Sequence, residues 1–107
     1  MKKVETVDAL KQVYQKESYV LLKHSITCPI SAEAYSETEA FSKDSDIPVY
    51  YLNVQELREG ANDAADHFGI KHESPQAFLV HNQQLIWNDS HWRVTKKNLQ
   101  EQVSQLS

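Results

Sequence analysis

An α/β fold is what this sequence predicts: a central four-stranded mixed sheet flanked by helices, with one further helix at the N-terminus. Three observations carry that prediction. Apolar residues at helical spacing alternate along the chain with short runs of consecutive apolar residues. Two of those runs, around residues 19–22 and 47–52, are apolar on both faces, as strands covered by helices on two sides are. Two shorter runs, 77–80 and 85–87, lie close enough together to suit an antiparallel hairpin. A chain of 107 residues falls within the span of one domain, expected to run over 1–107. Surface scaling lets such a chain bury about two-thirds of its surface without a metal or a disulfide.

Each element has its own local reason. Val7, Leu10 and Tyr14 follow Thr6, a good N-cap, at i, i+3 and i+7, and predict a helix over 7–16. Residues 19–22 (YVLL) then read as a central strand. Ile30, Ala34 and Phe41 keep helical spacing behind Pro29, which is favoured just inside a helix start, and Glu33 is expected in the first turn. That helix should end near Lys43. The strand at 47–52 (IPVYYL) tolerates Pro48 near its beginning. Asn53 with Glu56 three residues on reads as the cap of a third helix whose stripe is Leu57, Ala61, Ala64, Ala65 and Phe68, closed by Gly69 and weakened in its middle by Gly60. After the hairpin, where Asn82 suits the turn, a last helix begins near Thr95 and carries Leu99, Val103 and Leu106. The order of helices and strands implies parallel crossovers followed by a hairpin, and it resembles the thioredoxin-like topology.

Composition removes several classes of function. With 2 glycines and 3 prolines against 40% apolar and 24% charged residues, the chain is neither collagen-like nor low in complexity. A net charge of −4 without a basic run longer than two residues argues against nucleic acid as a partner. No apolar stretch approaches a bilayer span and the start MKKVETVDALK carries no apolar leader, so the expected location is the cytoplasm, away from any membrane. One cysteine can close no internal disulfide and supply no multi-cysteine zinc site. The five histidines, His24, His67, His72, His81 and His91, include no i, i+4 pair, and no metal site is assigned.

The role of Cys28 is therefore the main question: a lone cysteine is more often a small buried hydrophobe than a nucleophile, and its placement argues for reactivity. Cys28 falls a few residues after the first apolar strand, at the start of the second helix, in Thr27-Cys28-Pro29-Ile30-Ser31. A helix start presents unpaired N–H groups and about half a positive charge, which favour a thiolate over a thiol. Pro29 has no N–H to leave unpaired there and keeps the helix from extending back over the sulfur. Ser31 stands where dithiol oxidoreductases carry a second cysteine. Its hydroxyl can donate to a thiolate but cannot attack a mixed disulfide, so an external thiol must finish the exchange. His24, four residues before Cys28, would favour the thiolate as an imidazolium, but it reads as an ordinary strand-end histidine.

Thr27-Cys28-Pro29-Ile30-Ser31, with Phe68-Gly69-Ile70-Lys71-His72-Glu73-Ser74-Pro75-Gln76 and Ser90-His91-Trp92, resembles the monothiol bacilliredoxin family, the YtxJ-like proteins with a Thr-Cys-Pro-Ile motif, over nearly the whole chain. The resemblance implies a low-GC Gram-positive bacterium that uses bacillithiol in place of glutathione. It implies an enzyme, a thiol–disulfide oxidoreductase of monothiol, glutaredoxin-like type, that removes bacillithiol from S-bacillithiolated proteins. By it Cys28 is the nucleophile, Thr27, Pro29, Ile30 and Ser31 flank it, and Ser74-Pro75 aligns the substrate backbone, with the Ser74–Pro75 bond cis. No tightly bound cofactor is implied: bacillithiol is the co-substrate, the partners are S-bacillithiolated client proteins, and a second bacillithiol or a disulfide reductase resets the enzyme. Trp92 is a candidate to stack on the sugar of bacillithiol, against the ordinary role of a tryptophan packed at an edge. Lys71, Arg93 and Lys96 read as a solvated basic face rather than as a seat for the malyl carboxylates. The chain departs from glutaredoxins in having Asn88-Asp89-Ser90-His91-Trp92 where they carry a Gly-Gly-x-Asp segment, which argues against glutathione. Two other classes are compatible with one cysteine on this scaffold: an iron–sulfur carrier sharing a cluster across a dimer, and a redox-silent adaptor.

Overall fold

A computed structural model describes residues 1–106. The elements follow in the order β1 (Lys2–Lys3), α1 (Val7–Tyr14), β2 (Tyr19–His24), α2 (Pro29–Asp44), β3 (Val49–Asn53), α3 (Arg58–Phe68), β4 (Gln76–His81), β5 (Gln84–Ser90), a 3₁₀ turn (His91–Arg93) and α4 (Lys96–Ser104). The sheet runs β1-β3-β2-β4-β5. β3 is parallel to both β1 and β2, while β4 is antiparallel to β2 and β5.

The expected four strands are thus five. β1 escapes a reading by apolar runs because it is two lysines long; it is held by parallel pairing with Tyr50 and Tyr51 and by the Val4 N–H donating to the Tyr51 carbonyl at 2.7 Å. The Asn53–Glu56 pair is not a helix cap. Asn53 is still paired with His24 in the sheet, and its carbonyl accepts the Glu56 and Leu57 N–H groups at 3.0 and 2.9 Å. Its amide donates to Glu56 at 2.9 Å, which closes a turn, and α3 starts only at Arg58. Glu33 lies beyond the first turn of α2, which contains no acidic residue. The hairpin turns on Asn82 and Gln83 alone, both at positive φ, as a type I′ turn requires. Gln83 accepts that backbone because its N–H and side-chain amide donate to the Glu17 and Gln15 carbonyls at 2.9 and 2.8 Å.

Strand alternation sorts β2 between two cores. Tyr19 and Leu21 face α1 and α3 with Leu10, Val13, Ala61, Ala64 and Phe78. Val20 and Leu22 face α2 and α4 with Ala34, Phe41, Leu79 and Leu99. Thr6 and Thr95 cap α1 and α4 by accepting the Ala9 and Asn98 N–H groups, and Gly69 ends α3 at φ 66°.

Gly60 has a packing reason for its place. A Cβ there would come within 2.7 Å of Leu57 Cγ, because the Leu57 side chain folds back over the first turn of α3. Gly60→Ala is therefore expected to destabilise by about 1 kcal/mol despite alanine's better helix propensity, since displacing Leu57 outweighs that gain. Urea denaturation checks the sign.

Candidate active site

β2 ends at His24, and Ser25, Ile26 and Thr27 lead into α2, whose N-cap is Cys28 with extended backbone (φ −106°, ψ 122°). The bend is closed by the Cys28 N–H donating to the Ser25 carbonyl at 3.3 Å. The Cys28 carbonyl accepts the Ala32 N–H at 3.0 Å, the first bond of the helix. Pro29 is N1, so the free donors at this helix start are the N–H groups of Ile30 and Ser31. The Cys28 side chain caps neither of them and is half-buried.

Ser31 is fully buried and holds the base of the loop. Its hydroxyl accepts the Ser25 N–H at 2.7 Å and stands 2.9 Å from His24 Nδ1. Burial holds the His24 imidazole below its ordinary value, against the opposing hydrogen bond to Ser31. Burial thus disfavours an imidazolium at His24.

The second candidate element is the loop before β4. Ser74–Pro75 is a cis peptide, with Pro75 buried. The Pro75 carbonyl accepts the His91 N–H at 2.9 Å, and His91 stands at φ 56°. That contact sets the 3₁₀ turn against the proline and leaves Trp92, in the middle of the turn, 64% exposed. Trp92 is therefore not an edge-packing tryptophan. It lines a groove of about 150 Å³ with Ile30, Glu33 and Glu37 from α2. A larger groove of about 640 Å³ passes along Lys11, Tyr14, Asp63 and His67, and Cys28 does not line it. Among the basic candidates, Arg93 pairs with Asp89 and Lys96 with Asp44, both on the surface.

Two groups near the site were not singled out from sequence. Gln55, in the turn after β3, bonds to Ser25, Ile26 and Thr27. Lys23 is completely buried one residue before the end of β2, with Nζ 3.2 Å from His72 Nδ1 and 5.5 Å from the centre of the Phe78 ring. Burial pushes its ammonium down to about 8. His72 is also held low, by burial first and then by the charges of Lys23 and Arg58, with Glu73 opposing. Nothing local marks Gln55, whose partners are about thirty residues away. For Lys23 the usable signal was the β2 alternation, which puts it on the same face as Tyr19 and Leu21.

A thioredoxin-like sheet with one cysteine opening its second helix defines the class: a thioredoxin-fold thiol–disulfide oxidoreductase. A solved structure described as an oxidoreductase with a thioredoxin fold is 37% identical, with a TM-score of 0.89 over 95% of this chain and 92% of its own. The sequence matches the family described as "Monothiol bacilliredoxin BrxC" over residues 1–99, and the chain belongs to that family. More distant thioredoxins share the fold: that of Fasciola hepatica at 14% identity and TM-score 0.76 over the whole of both chains, and that of Malassezia sympodialis at 21% and 0.66 over 98% and 89%.

Proposed function

We propose that the enzyme removes bacillithiol from S-bacillithiolated proteins by a monothiol route. The Cys28 thiolate attacks the bacillithiol sulfur of the mixed disulfide. The old S–S bond breaks, the client leaves as a thiolate that takes a proton, and Cys28 holds bacillithiol in a new disulfide. No net oxidation occurs in that step. A second bacillithiol thiolate, or a disulfide reductase, then frees Cys28. The supporting observation is one half-buried cysteine at the N-cap of α2 with a serine, Ser31, three residues on, so no internal thiol can compete for the mixed disulfide.

The other site residues have roles consistent with this route. The helix-start amides favour the thiolate. The backbone at Ser74 and Pro75 aligns the client chain, Thr27, Pro29 and Ile30 border the sulfur, and the exposed Trp92 ring stacks on the sugar of bacillithiol. The reaction belongs in the cytoplasm, where thiols are kept reduced. No helix among the described residues is long and apolar enough to cross a membrane.

Intact mass spectrometry tests the proposal. After mixing with a bacillithiolated protein, Cys28 should gain one bacillithiol adduct as the substrate loses one. Absence of transfer at neutral pH would overturn it.

A further inference from the structure

We infer that Gln55 is a positioning residue for the reaction, a carboxamide clamp from the turn after β3 that sets the loop carrying Cys28. The inference rests on the transfer reading for its kinetic arm alone. The loop of Ser25, Ile26 and Thr27 is the only covalent path from β2 to the nucleophile, and its middle residue is exposed: the Ile26 side chain is 52% accessible. Within this loop, burial anchors only its first residue. What holds the rest is a side chain from the turn after β3. Gln55 Oε1 accepts the Ile26 N–H at 3.1 Å, and Gln55 Nε2 donates to Ser25 Oγ at 2.8 Å and Thr27 Oγ1 at 3.3 Å.

One side chain thus binds three consecutive residues and uses both of its N–H groups and its oxygen. The arrangement is directional. Turned over, the amide would point N–H groups at the Ile26 N–H, so only one orientation satisfies the loop. The turn that presents Gln55 is itself fixed, because the Val54 N–H donates to the His24 carbonyl at 2.8 Å and the Asn53 carbonyl takes the Glu56 and Leu57 N–H groups. The ends of β2 and β3 are therefore tied twice, once by the sheet and once through Gln55. The second tie acts directly on the residues that aim Cys28 at a disulfide held along Pro75 and Trp92. In-line attack on sulfur is sensitive to such aim, and a misplacement of about 1 Å can cost on the order of a hundredfold in rate.

Gln55→Ala and Gln55→Glu test the clamp against the wild type. Because Gln55 is exposed, the alanine variant should melt within about 2 °C of wild type. Its Ile26 amide should exchange at least about tenfold faster, as expected where a loop loses its anchor. Its first-order rate of bacillithiol transfer should fall about tenfold with half-saturation little changed, while alkylation of Cys28 by iodoacetamide, which needs no aligned partner, should stay within about twofold. Glutamate offers oxygens to the Ile26 N–H and to both hydroxyls, so Gln55→Glu should recover the Ile26 protection and most of the transfer rate. Wild-type exchange at Ile26 in the alanine variant would overturn the inference. So would equal losses in transfer and alkylation, or a loss that glutamate does not rescue. If the wild-type protein transfers nothing, the transfer reading fails by itself, and Ile26 exchange still decides whether Gln55 holds the loop.

Discussion

Cys28→Ser should lose bacillithiol transfer by on the order of 10³-fold or more, to the level of the uncatalysed exchange. The reason is chemical rather than structural. A serine hydroxyl is not ionised at neutral pH and is a poor nucleophile toward sulfur, and this chain has no second cysteine to take over. The fold should not suffer. Cys28 is the N-cap of α2 and makes no capping hydrogen bond, whereas serine is among the best capping residues and can accept from the free first-turn amides. The variant should therefore be as stable as wild type, or more stable by a few tenths of a kcal/mol. Mass spectrometry of the transfer reaction and a urea titration of the same sample read the two effects separately. Transfer retained in a folded Cys28→Ser protein would mean that the sulfur is not the nucleophile.

The site was legible to the extent that its determinants are local. Pro29 behind an apolar strand announces both where α2 begins and that Cys28 stands at its tip, because a proline at N1 and a helical stripe at 30, 34 and 41 need only neighbouring residues to be recognised. Gly69 and Thr95 mark helix ends by the same kind of local chemistry. What could not be read depends on distant pairing. Asn53-x-x-Glu56 has the form of a cap, yet the sheet keeps Asn53 as a strand residue opposite His24, and tertiary pairing overrides the local pattern. Gln55 is an exposed polar residue whose role comes entirely from a loop about thirty residues earlier. Ser31 was legible as the replacement for a second cysteine, but its hydrogen bonds to Ser25 and His24 emerge only when β2 and α2 pack. Trp92 was visible as a candidate, while its exposure depends on the His91 N–H reaching the Pro75 carbonyl.

Lys23 is the sharpest conflict between residue type and place, and Lys23→Met should raise stability at pH 7 by about 1–3 kcal/mol. A lysine reads as a strand end turning to solvent, yet this one is buried opposite Gln76 on β4, beneath the chain that leads to Pro75. Among the described residues no carboxylate forms an ion pair with it. Its compensation is the contact with His72 Nδ1 and the face of Phe78, which offsets only part of the cost of burying a charge. The sign of the pH dependence follows from burial. The folded ammonium titrates at about 8 against an ordinary 10.5, so between those values the unfolded chain holds more protons and the penalty shrinks as pH rises. The advantage of the methionine variant should be full below pH 8 and nearly gone by pH 10.5. Paired urea titrations at pH 7 and pH 10 measure it, and a variant less stable than wild type at pH 7 would show that the His72 and Phe78 contacts outweigh desolvation. Transfer should move the other way. Lys23 is a donor to His72 in the segment that also receives the Gln76 amide at the Lys71 carbonyl, so losing it loosens the chain entering Ser74–Pro75. A protein that is more stable but slower to accept bacillithiol would explain why a charge is kept where an apolar side chain would fold better.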